Sequence, residues 1–559
     1  MANLVLGPLL RHVSRTTATI WVEVDVACTV EVLGHRTTTF SVLDHHYALV
    51  MVEGLDPGTT TPYEVLLDGE RCWPPPLTDF PASVIRTLDG DRLRILFASC
   101  RAAAPHEPPW TLELDHDDRG RGVDALHAHG VRMLSQSPEE WPQLLLFVGD
   151  QIYADDSSPR TRARIQRRRG HLTHDDRFPS IEDVADFEEY TWLYHESWLP
   201  EVERWVLSVV PSAMIFDDHD MIDDWNTSMA WVEDIRRKPW WQDHVTGGLM
   251  SYWLYQHLGN LSPDEIRSEG MLERFIELGD ATEALREWAE ESEKFTPVPG
   301  GYRFSFYRDL GPVRLVVIDS RNGRVLEPGA RQMVDDDEWA WIVEHARVEC
   351  AHLVLATSVP VVMPGGLHDL EWWSELVCDG AWGKWFARLG EKIRRRVDLE
   401  DWAAFHDSYA ALIELLRDIA TPGDDPSPEP PATVTIVSGD VHFSFCAQAV
   451  LADQPERRVP VSRVHQVVNS PTRNVLAVRE RRVIKAGLSR AGGLVGRALR
   501  RAAGAKPDPT RWEVETGPFF GNHVSILDVS GRDAQMVLER AGPDDDGRPV
   551  LTVAARLRL

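Results

Sequence analysis

Apolar runs in this chain repeatedly end in small clusters of potential metal ligands. In open α/β sheets, ligands bind beyond the carboxyl ends of the strands, so residues more than three hundred positions apart can converge on one place. Each run has the length of a buried strand. The pattern therefore predicts one site rich in carboxylate, imidazole, thiolate and phenolate groups, which is typical of a metal centre. The runs are LRILFA (93–98) before Ser99 and Cys100, QLLLFVG (143–149) before Asp150 and Tyr153, PSAMIF (211–216) before Asp217, Asp218, His219 and Asp220, and TVTIVSG (433–439) before Asp440 and His442.

The size and charge of the chain restrict its class. With 559 residues, 43% hydrophobic content and 21 Trp, it can bury a large core and should divide into at least two domains. The net charge of −29 repels nucleic acid and anionic membranes at long range. We therefore expect no nucleic-acid scaffold binding, and an anionic substrate would need local cations such as bound metals.

The chain shows no sign of export or of a membrane span. It begins MANLVLGPLL, without a basic segment or twin Arg ahead of a long apolar stretch. No apolar run approaches the roughly 20 residues of a spanning helix. The six Cys are widely spaced without a CxxC pair, so a disulfide framework is not expected, and only Cys100, at a strand end, stands out. These features favour a cytoplasmic location.

The secondary-structure pattern changes along the chain. Residues 1–88 alternate as short antiparallel strands and predict a small β-sandwich, whereas residues 89–559 alternate strands and helices as an α/β catalytic domain. Helical insertions are predicted near 181–300, which is dense in Trp, and near 367–420. Two basic stretches, 161–170 and 479–501, are interpreted as solvated faces, with a phosphate-attracting lid as the alternative.

Five motifs in order carry a family resemblance: FASC (97–100), GDQIY (149–153), FDDHD (216–220), IDSR (318–321) and SGDVH (438–442). With them the chain resembles the PhoD-like alkaline phosphatases and phosphodiesterases, within the calcineurin-like metallophosphoesterases. The resemblance implies an α/β fold with a metallophosphoesterase-type β-sandwich core flanked by helices. It also implies a small N-terminal all-β domain of immunoglobulin or fibronectin type.

The resemblance also implies a two-metal site. Asp150 matches a bridging ligand, whereas Cys100 and Tyr153 match positions that bind iron, where thiolate and phenolate favour Fe(III). At Asp223 the family often has Asn, and the added charge would favour a hard cation such as Ca(II) at the second position. Fe(III) plus Ca(II) is therefore expected, with Mn(II), Zn(II) and Mg(II) left open. The implied metal ligands are Cys100, Asp150, Tyr153, Asp223, Asp440 and His442.

Three further residues are candidates for catalysis: Asp218, His219 and Arg321. A His beside a leaving oxygen can supply a proton, which makes His219 the expected general acid, with Asp218 close by. Arg321 would either bind phosphate bidentately or support a site carboxylate such as Asp319.

These observations favour a metal-dependent phosphoric ester hydrolase that attacks a monoester or diester with metal-activated water. The sequence lacks a GxSxG nucleophile elbow and a P-loop, which disfavours serine hydrolases and P-loop kinases. Two alternatives stay open: a carboxylate-based glycosidase, and a non-catalytic binding protein on the same fold.

Overall fold

A computed structural model of the protein describes residues 1–171, 175–295, 298–396, 399–423, 429–451, 458–506, 508 and 510–559. Within these residues, no helix combines the length and the apolar character needed to cross a bilayer.

The first ten strands form two four-stranded antiparallel sheets, ordered β1-β2-β6-β5 and β4-β3-β8-β9, and a separate pair, β10-β7. All seven residues of β2 are buried, so both faces of its sheet are covered. Because successive side chains of a strand point to opposite faces, Ile20 and Val22 join the core of the N-terminal sheets while Trp21 joins the main core. The strands are β1 Leu4–Val13, β2 Ala18–Val24, β3 Thr29–Val32, β4 His35–Thr38, β5 Phe40–Val42, β6 His45–Val52, β7 Thr60–Pro62, β8 Val65–Leu67, β9 Glu70–Trp73 and β10 Val84–Arg86.

The remaining strands form two larger sheets of mixed direction. The order of the six-stranded sheet is β13-β12-β11-β21-β22-β23, and that of the seven-stranded sheet is β14-β15-β16-β17-β19-β18-β20. The strands are β11 Arg92–Ala98, β12 Leu144–Val148, β13 Ser212–Ile215, β14 Phe306–Leu310, β15 Val313–Ile318, β16 His352–Thr357, β17 Thr433–Ser438, β18 Ser444–Val450, β19 Arg463–Val468, β20 Arg511–Phe519, β21 His523–Ser530, β22 Asp533–Pro543 and β23 Pro549–Arg558.

The central strands of both sheets are parallel, which brings their carboxyl ends to a common edge. β11 pairs in parallel with β12, and β12 with β13. In the other sheet, β15, β16, β17 and β19 pair in parallel in that order. Parallel strands are covered on both faces and read as continuous apolar runs, as LLLFV in β12 does. Residues of both sheets belong to one hydrophobic core.

Fifteen helices are found in the described part of the chain, and α6 continues into a π-helical turn, Trp253–His257. The predicted helical stretch near 181–300 contains α3 to α9 together with β13, and the stretch near 367–420 contains most of α11, α12 and α13. Trp192, Trp198, Trp205, Trp225 and Trp253 are buried, so these aromatic rings form core. The helices are α1 Ala125–Met133, α2 Pro159–Arg169, α3 Phe187–Trp198, α4 Glu201–Val209, α5 Met229–Ile235, α6 Trp241–Tyr252, α7 Pro263–Glu269, α8 Met271–Leu278, α9 Thr282–Phe295, α10 Asp336–Ala346, α11 Gly366–Cys378, α12 Lys384–Arg394, α13 His406–Ala420, α14 Val478–Gly487 and α15 Arg490–Ala502.

Candidate metal centre

Four potential ligands occupy the same position relative to their strands. Cys100, Asp150 and Asp217 each lie two residues beyond a strand of the six-stranded sheet, after β11, β12 and β13. Asp440 lies two residues beyond β17 of the seven-stranded sheet. The site therefore forms where the carboxyl edges of the two sheets meet.

Asp150 lies at the centre of this site. Its carboxylate belongs to three groups whose ligand atoms lie within 4.8 Å of one another. One group adds Cys100 and His442, and another adds Asp218 and His219. The largest group joins Asp150 to Asp217, Asp218 and Asp440. The structure thus brings together six of the nine predicted site residues in groups around one carboxylate.

The backbone of the site is held in an uncommon conformation. The φ angles of Cys100, Asp150, Asp440 and His442 are +55°, +46°, +66° and +55°. Side chains other than glycine rarely adopt this region, and such strain clusters at functional sites. Gly149 permits a close approach of two strand ends, since a Cβ atom there would lie 2.6 Å from Cβ of Asp217.

Besides Oδ1 of Asp218, which lies 3.2 Å from Nη2 of Arg321, two buried carboxylate oxygens at the site lack a hydrogen-bond partner among the described residues. They are Oδ1 of Asp150 and Oδ2 of Asp217, and both residues have no exposed surface. A buried polar atom without a hydrogen-bond partner lowers stability by about 1–3 kcal/mol, and a charged group lowers it by more. A bound cation would satisfy both oxygens, so the residues present fit a metal site.

The carboxylates also raise one another's pKa. Burial, and then the charge of Asp217, raises the pKa of Asp150 and of Asp440 well above the ordinary value. Burial raises the pKa of Asp217 to about 6, against the opposing charge of Arg321. Burial and the nearby Asp150 likewise raise the pKa of the Cys100 thiol. A cation would reverse these shifts by favouring the ionised forms.

Arg321 is fully buried and its guanidinium is occupied by carboxylates. Nε pairs with Asp217 and Nη1 pairs with Glu400, while Nη2 lies 3.2 Å from Oδ1 of Asp218 and 3.2 Å from Oδ1 of Asp440. Asp319, the partner considered from the sequence, instead accepts the backbone N–H of Arg321 at 3.0 Å. The arginine therefore links the site carboxylates.

His219 is held by Asp155. The imidazole Nδ1 lies 2.8 Å from Oδ1 of Asp155, and 23% of the side chain is exposed. Burial opposes protonation, but Asp155 and Asp218 raise the pKa of His219 well above its ordinary value. With Nδ1 engaged by Asp155, Nε2 is the ring atom that can face a ligand.

The thiol and phenol also lie at the site. The hydroxyl of Tyr153 lies 3.4 Å from Oδ2 of Asp150, and its ring centroid is 4.7 Å from that of His219. Ser470 Oγ lies 3.2 Å from Cys100 Sγ and accepts the backbone N–H of His442 at 3.0 Å. Burial and the charge of His219 lower the pKa of His442 to about 4, so its imidazole is neutral, as a ligand must be.

Asp223 lies at the margin of the centre. Its side chain is 61% exposed, and its Oδ1 is 4.0 Å from Nε2 of His219. It groups with Asp155 and His219, and it is absent from the groups that contain Asp150 among the described residues. The structure therefore places Asp223 next to His219 and Asp155, and its role as a metal ligand stays a prediction.

The predicted set omitted several residues that shape the site. Asp217 lies within the motif FDDHD, and Asp155 follows GDQIY by two residues, so both were visible in the sequence. Asp220 joins the loop after β13 to the loop after β12, since its Oδ1 accepts the backbone N–H of Gln151 at 3.1 Å. Glu400 lies in a segment without any recognisable motif, and only the structure places it on Arg321.

Comparisons with known proteins support the architecture. Residues 1–85 match the model of a domain of unknown function, DUF7800. No curated protein matches the sequence. A solved structure described as "Structure of PhoD" aligns with 99% of this chain and 89% of its own, at 12% identity and a TM-score of 0.54. A maltogenic amylase from S. marinus aligns with 96% of this chain and 76% of its own, at 10% identity and a TM-score of 0.16.

The protein is therefore a mixed α/β protein with acidic and histidine groups able to hold metal. More narrowly, its fold is PhoD-like over nearly the whole chain.

Proposed function

We propose that this protein is a metal-dependent hydrolase of phosphoric esters, built on a metallophosphoesterase-type core. The proposal rests on the position of Asp150. This fully buried carboxylate is shared by three groups of potential metal ligands, and one of its oxygens has no hydrogen-bond partner among the described residues. The PhoD-like fold supports the same activity.

The residues divide into two sets that share Asp150. Cys100, Tyr153 and His442 would complete one set, where thiolate and phenolate suit Fe(III). Asp217, Asp218 and Asp440 would complete the other set, whose oxygen atoms suit Ca(II), Mg(II) or Mn(II). Because Asp223 lies outside the groups that contain Asp150, we assign the second set to Asp217. Bound metal ions would supply a Lewis acid that activates water and offsets negative charge on the phosphoryl group.

Arg321 acts in this proposal as a positioning residue. Its fully buried guanidinium neutralises and orients Asp217, Asp218 and Asp440. Because the guanidinium of Arg321 already contacts four carboxylates, it has no pair of N–H groups left for bidentate binding of phosphate. The charge of the substrate must therefore be met elsewhere in the site.

His219 is the proposed proton donor. Asp155 and Asp218 favour its protonated form, and Asp155 engages Nδ1, which leaves Nε2 to donate to the leaving oxygen. Its partial exposure gives it access to substrate, in contrast to the fully buried Asp150.

The test is element analysis of protein purified without added metal, combined with turnover of one nitrophenyl monoester and one diester. Asp150→Asn should lower metal content and turnover together, and turnover by about a hundredfold or more. Asp44→Asn, which changes an exposed carboxylate in the turn between β5 and β6, is the matched control and should change neither. Metal without turnover of either ester would favour a binding protein, and chelator-resistant glycoside cleavage would favour a glycosidase.

A further inference from the structure

Two helical segments concentrate positive charge in an acidic protein. Residues 384–396 contain six Lys or Arg and one Glu, and residues 478–506 contain nine Lys or Arg and one Glu. The whole chain carries a net charge of −29. These segments therefore concentrate positive charge within the sequence of an acidic chain.

The same segments expose large apolar side chains. Trp385 of α12 is 67% exposed, Val483 of α14 is 60% exposed, and Leu494 and Val495 of α15 are 64% and 58% exposed. Single exposed apolar residues are ordinary on protein surfaces. Helices that present Trp, Leu and Val among Lys and Arg have the composition of helices that lie in a membrane interface.

The helices belong to one surface, because α12 and α15 both pack on α11. The inward face of α15 carries Gly496, where a Cβ atom would lie 2.8 Å from the carbonyl oxygen of Gly366. The indole N–H of Trp382 donates to the carbonyl of Ala502 at 3.1 Å, and its ring lies 5.8 Å from that of Phe386. These contacts join the start of α12 to the end of α15. We call the exposed residues of α12, α14 and α15 the basic-apolar surface.

This surface borders the candidate metal centre. Ile484 of α14 packs in a hydrophobic cluster with Val441 and Phe443. Val441 lies between Asp440 and His442 in the chain. Lys485 Nζ is 5.1 Å from the ring centroid of Phe520, which contacts Phe443. The loop that carries two potential ligands is thus packed against α14.

We propose that the basic-apolar surface docks peripherally on an anionic lipid bilayer. Phosphate headgroups complement the exposed Lys and Arg, and the acyl boundary accepts Trp385, Leu494 and Val495. A nucleic acid would complement the charge but would leave these apolar side chains without a matching environment. The repulsion from anionic membranes expected from the net charge therefore does not apply to this face. The proposal does not depend on the proposed hydrolase activity.

Co-sedimentation of the full chain with lipid vesicles tests the proposal. Vesicles of phosphatidylcholine with about one-third phosphatidylglycerol should bind the protein, and vesicles of phosphatidylcholine alone should bind it far less. Raising the salt from about 0.1 M to about 0.5 M should weaken binding to the anionic vesicles.

Two sets of variants separate the contributions of charge and apolar contact. The triple variant Arg490→Glu, Arg497→Glu and Arg501→Glu should bind the anionic vesicles about a hundredfold more weakly. The variant Trp385→Ser, Leu494→Ser and Val495→Ser should lose about tenfold or more. Arg119→Glu, Arg177→Glu and Arg558→Glu, all exposed and distant in sequence, form the control, which changes the net charge of the chain by the same amount and should retain binding. Circular dichroism should confirm that each variant folds.

Several outcomes would overturn the proposal. They are absence of binding to anionic vesicles, equal binding to neutral vesicles, and equal losses in the control and the Arg490 variant. Binding of a duplex oligonucleotide that depends on the arginines alone, without vesicle binding, would indicate a nucleic-acid surface instead. Self-association that is lost in the Trp385 variant, without vesicle binding, would indicate that a second copy covers the surface.

Discussion

Arg321, three residues beyond β15 of the seven-stranded sheet, forms a fully buried ion pair with Asp217, two residues beyond β13 of the six-stranded sheet. The pair joins the carboxyl edges of two sheets that share no ladder hydrogen bonds in the described residues. Because Arg321 also pairs with Asp218, Asp440 and Glu400, it fixes where the site carboxylates lie relative to one another.

Loss of this guanidinium should destabilise the protein. Arg321→Ala leaves Asp217 buried without its cation and leaves Glu400 with Arg324 alone, which should lower the free energy of unfolding by about 3–5 kcal/mol. Arg321→Lys keeps the charge but not the planar fork, so a smaller loss is expected. Denaturant unfolding measures both. Arg558→Ala, which breaks an exposed pair with Asp533, should cost about 1 kcal/mol or less. Equal effects at positions 321 and 558 would contradict the role of Arg321.

The substrate dependence of His219→Ala should reveal proton donation. A poor leaving group needs a proton, so turnover of an alkyl phosphate ester should fall about a hundredfold or more, and turnover of a nitrophenyl ester much less. Asp155→Asn should show the same pattern more weakly, since Asp155 holds Nδ1 and raises the pKa of His219. Similar losses for both esters would argue that His219 positions the site rather than donates a proton.

Visible absorption should report on Cys100 and Tyr153. If Fe(III) occupies the set that contains them, charge transfer from thiolate and phenolate should colour concentrated protein. Tyr153→Phe should shift or weaken the band by about half or more, and Cys100→Ser should also lower iron content. Cys446→Ser alters another buried thiol, in β18, and should leave colour and iron unchanged. A colourless, iron-free and fully active protein would exclude iron from the site.

His45 should make the stability of the folded protein fall as the pH becomes alkaline. This residue joins the N-terminal sheet to α3, with Nδ1 2.8 Å from Glu23 and Nε2 2.9 Å from Glu188. Burial lowers the pKa of His45, but hydrogen bonds to Glu188 and Glu23 outweigh it and raise the pKa to about 9. Since the folded pKa lies above the unfolded value, this stabilisation is complete below about pH 6.5 and is lost as the pH rises through about 9.

Replacement of His45 should remove that dependence. His45→Gln should destabilise the protein by about 2 kcal/mol at pH 6, with a smaller difference from the parent protein at pH 10. Thermal or denaturant unfolding across this range provides the measurement. His116→Gln, at an exposed position, serves as the control. A difference that stays constant with pH would show that His45 does not titrate in the folded protein.

The sequence by itself was enough to locate the strand ends of the candidate centre. Cys100, Asp150 and Asp440 follow apolar runs long enough to be buried strands, and parallel strands carry ligand groups at their carboxyl edges. The PhoD-like architecture, anticipated from five ordered motifs, is confirmed by the structural match. Local patterns suffice here because burial of a strand and the position of the residue after it depend on neighbours in the chain.

Only the tertiary structure decided which side chains meet. The family resemblance implied Asp223 as a ligand, which stays a prediction, whereas packing places Asp217 beside Asp150 and leaves Asp223 largely exposed. Glu400 and Arg321 are 79 positions apart and pair because two sheet edges and a helical insertion converge on them. The membrane surface proposed for the basic stretch 479–501 likewise depends on the packing of α12 and α15 on α11. Such relationships arise from long-range packing around a shared core, which no local pattern of residue types encodes.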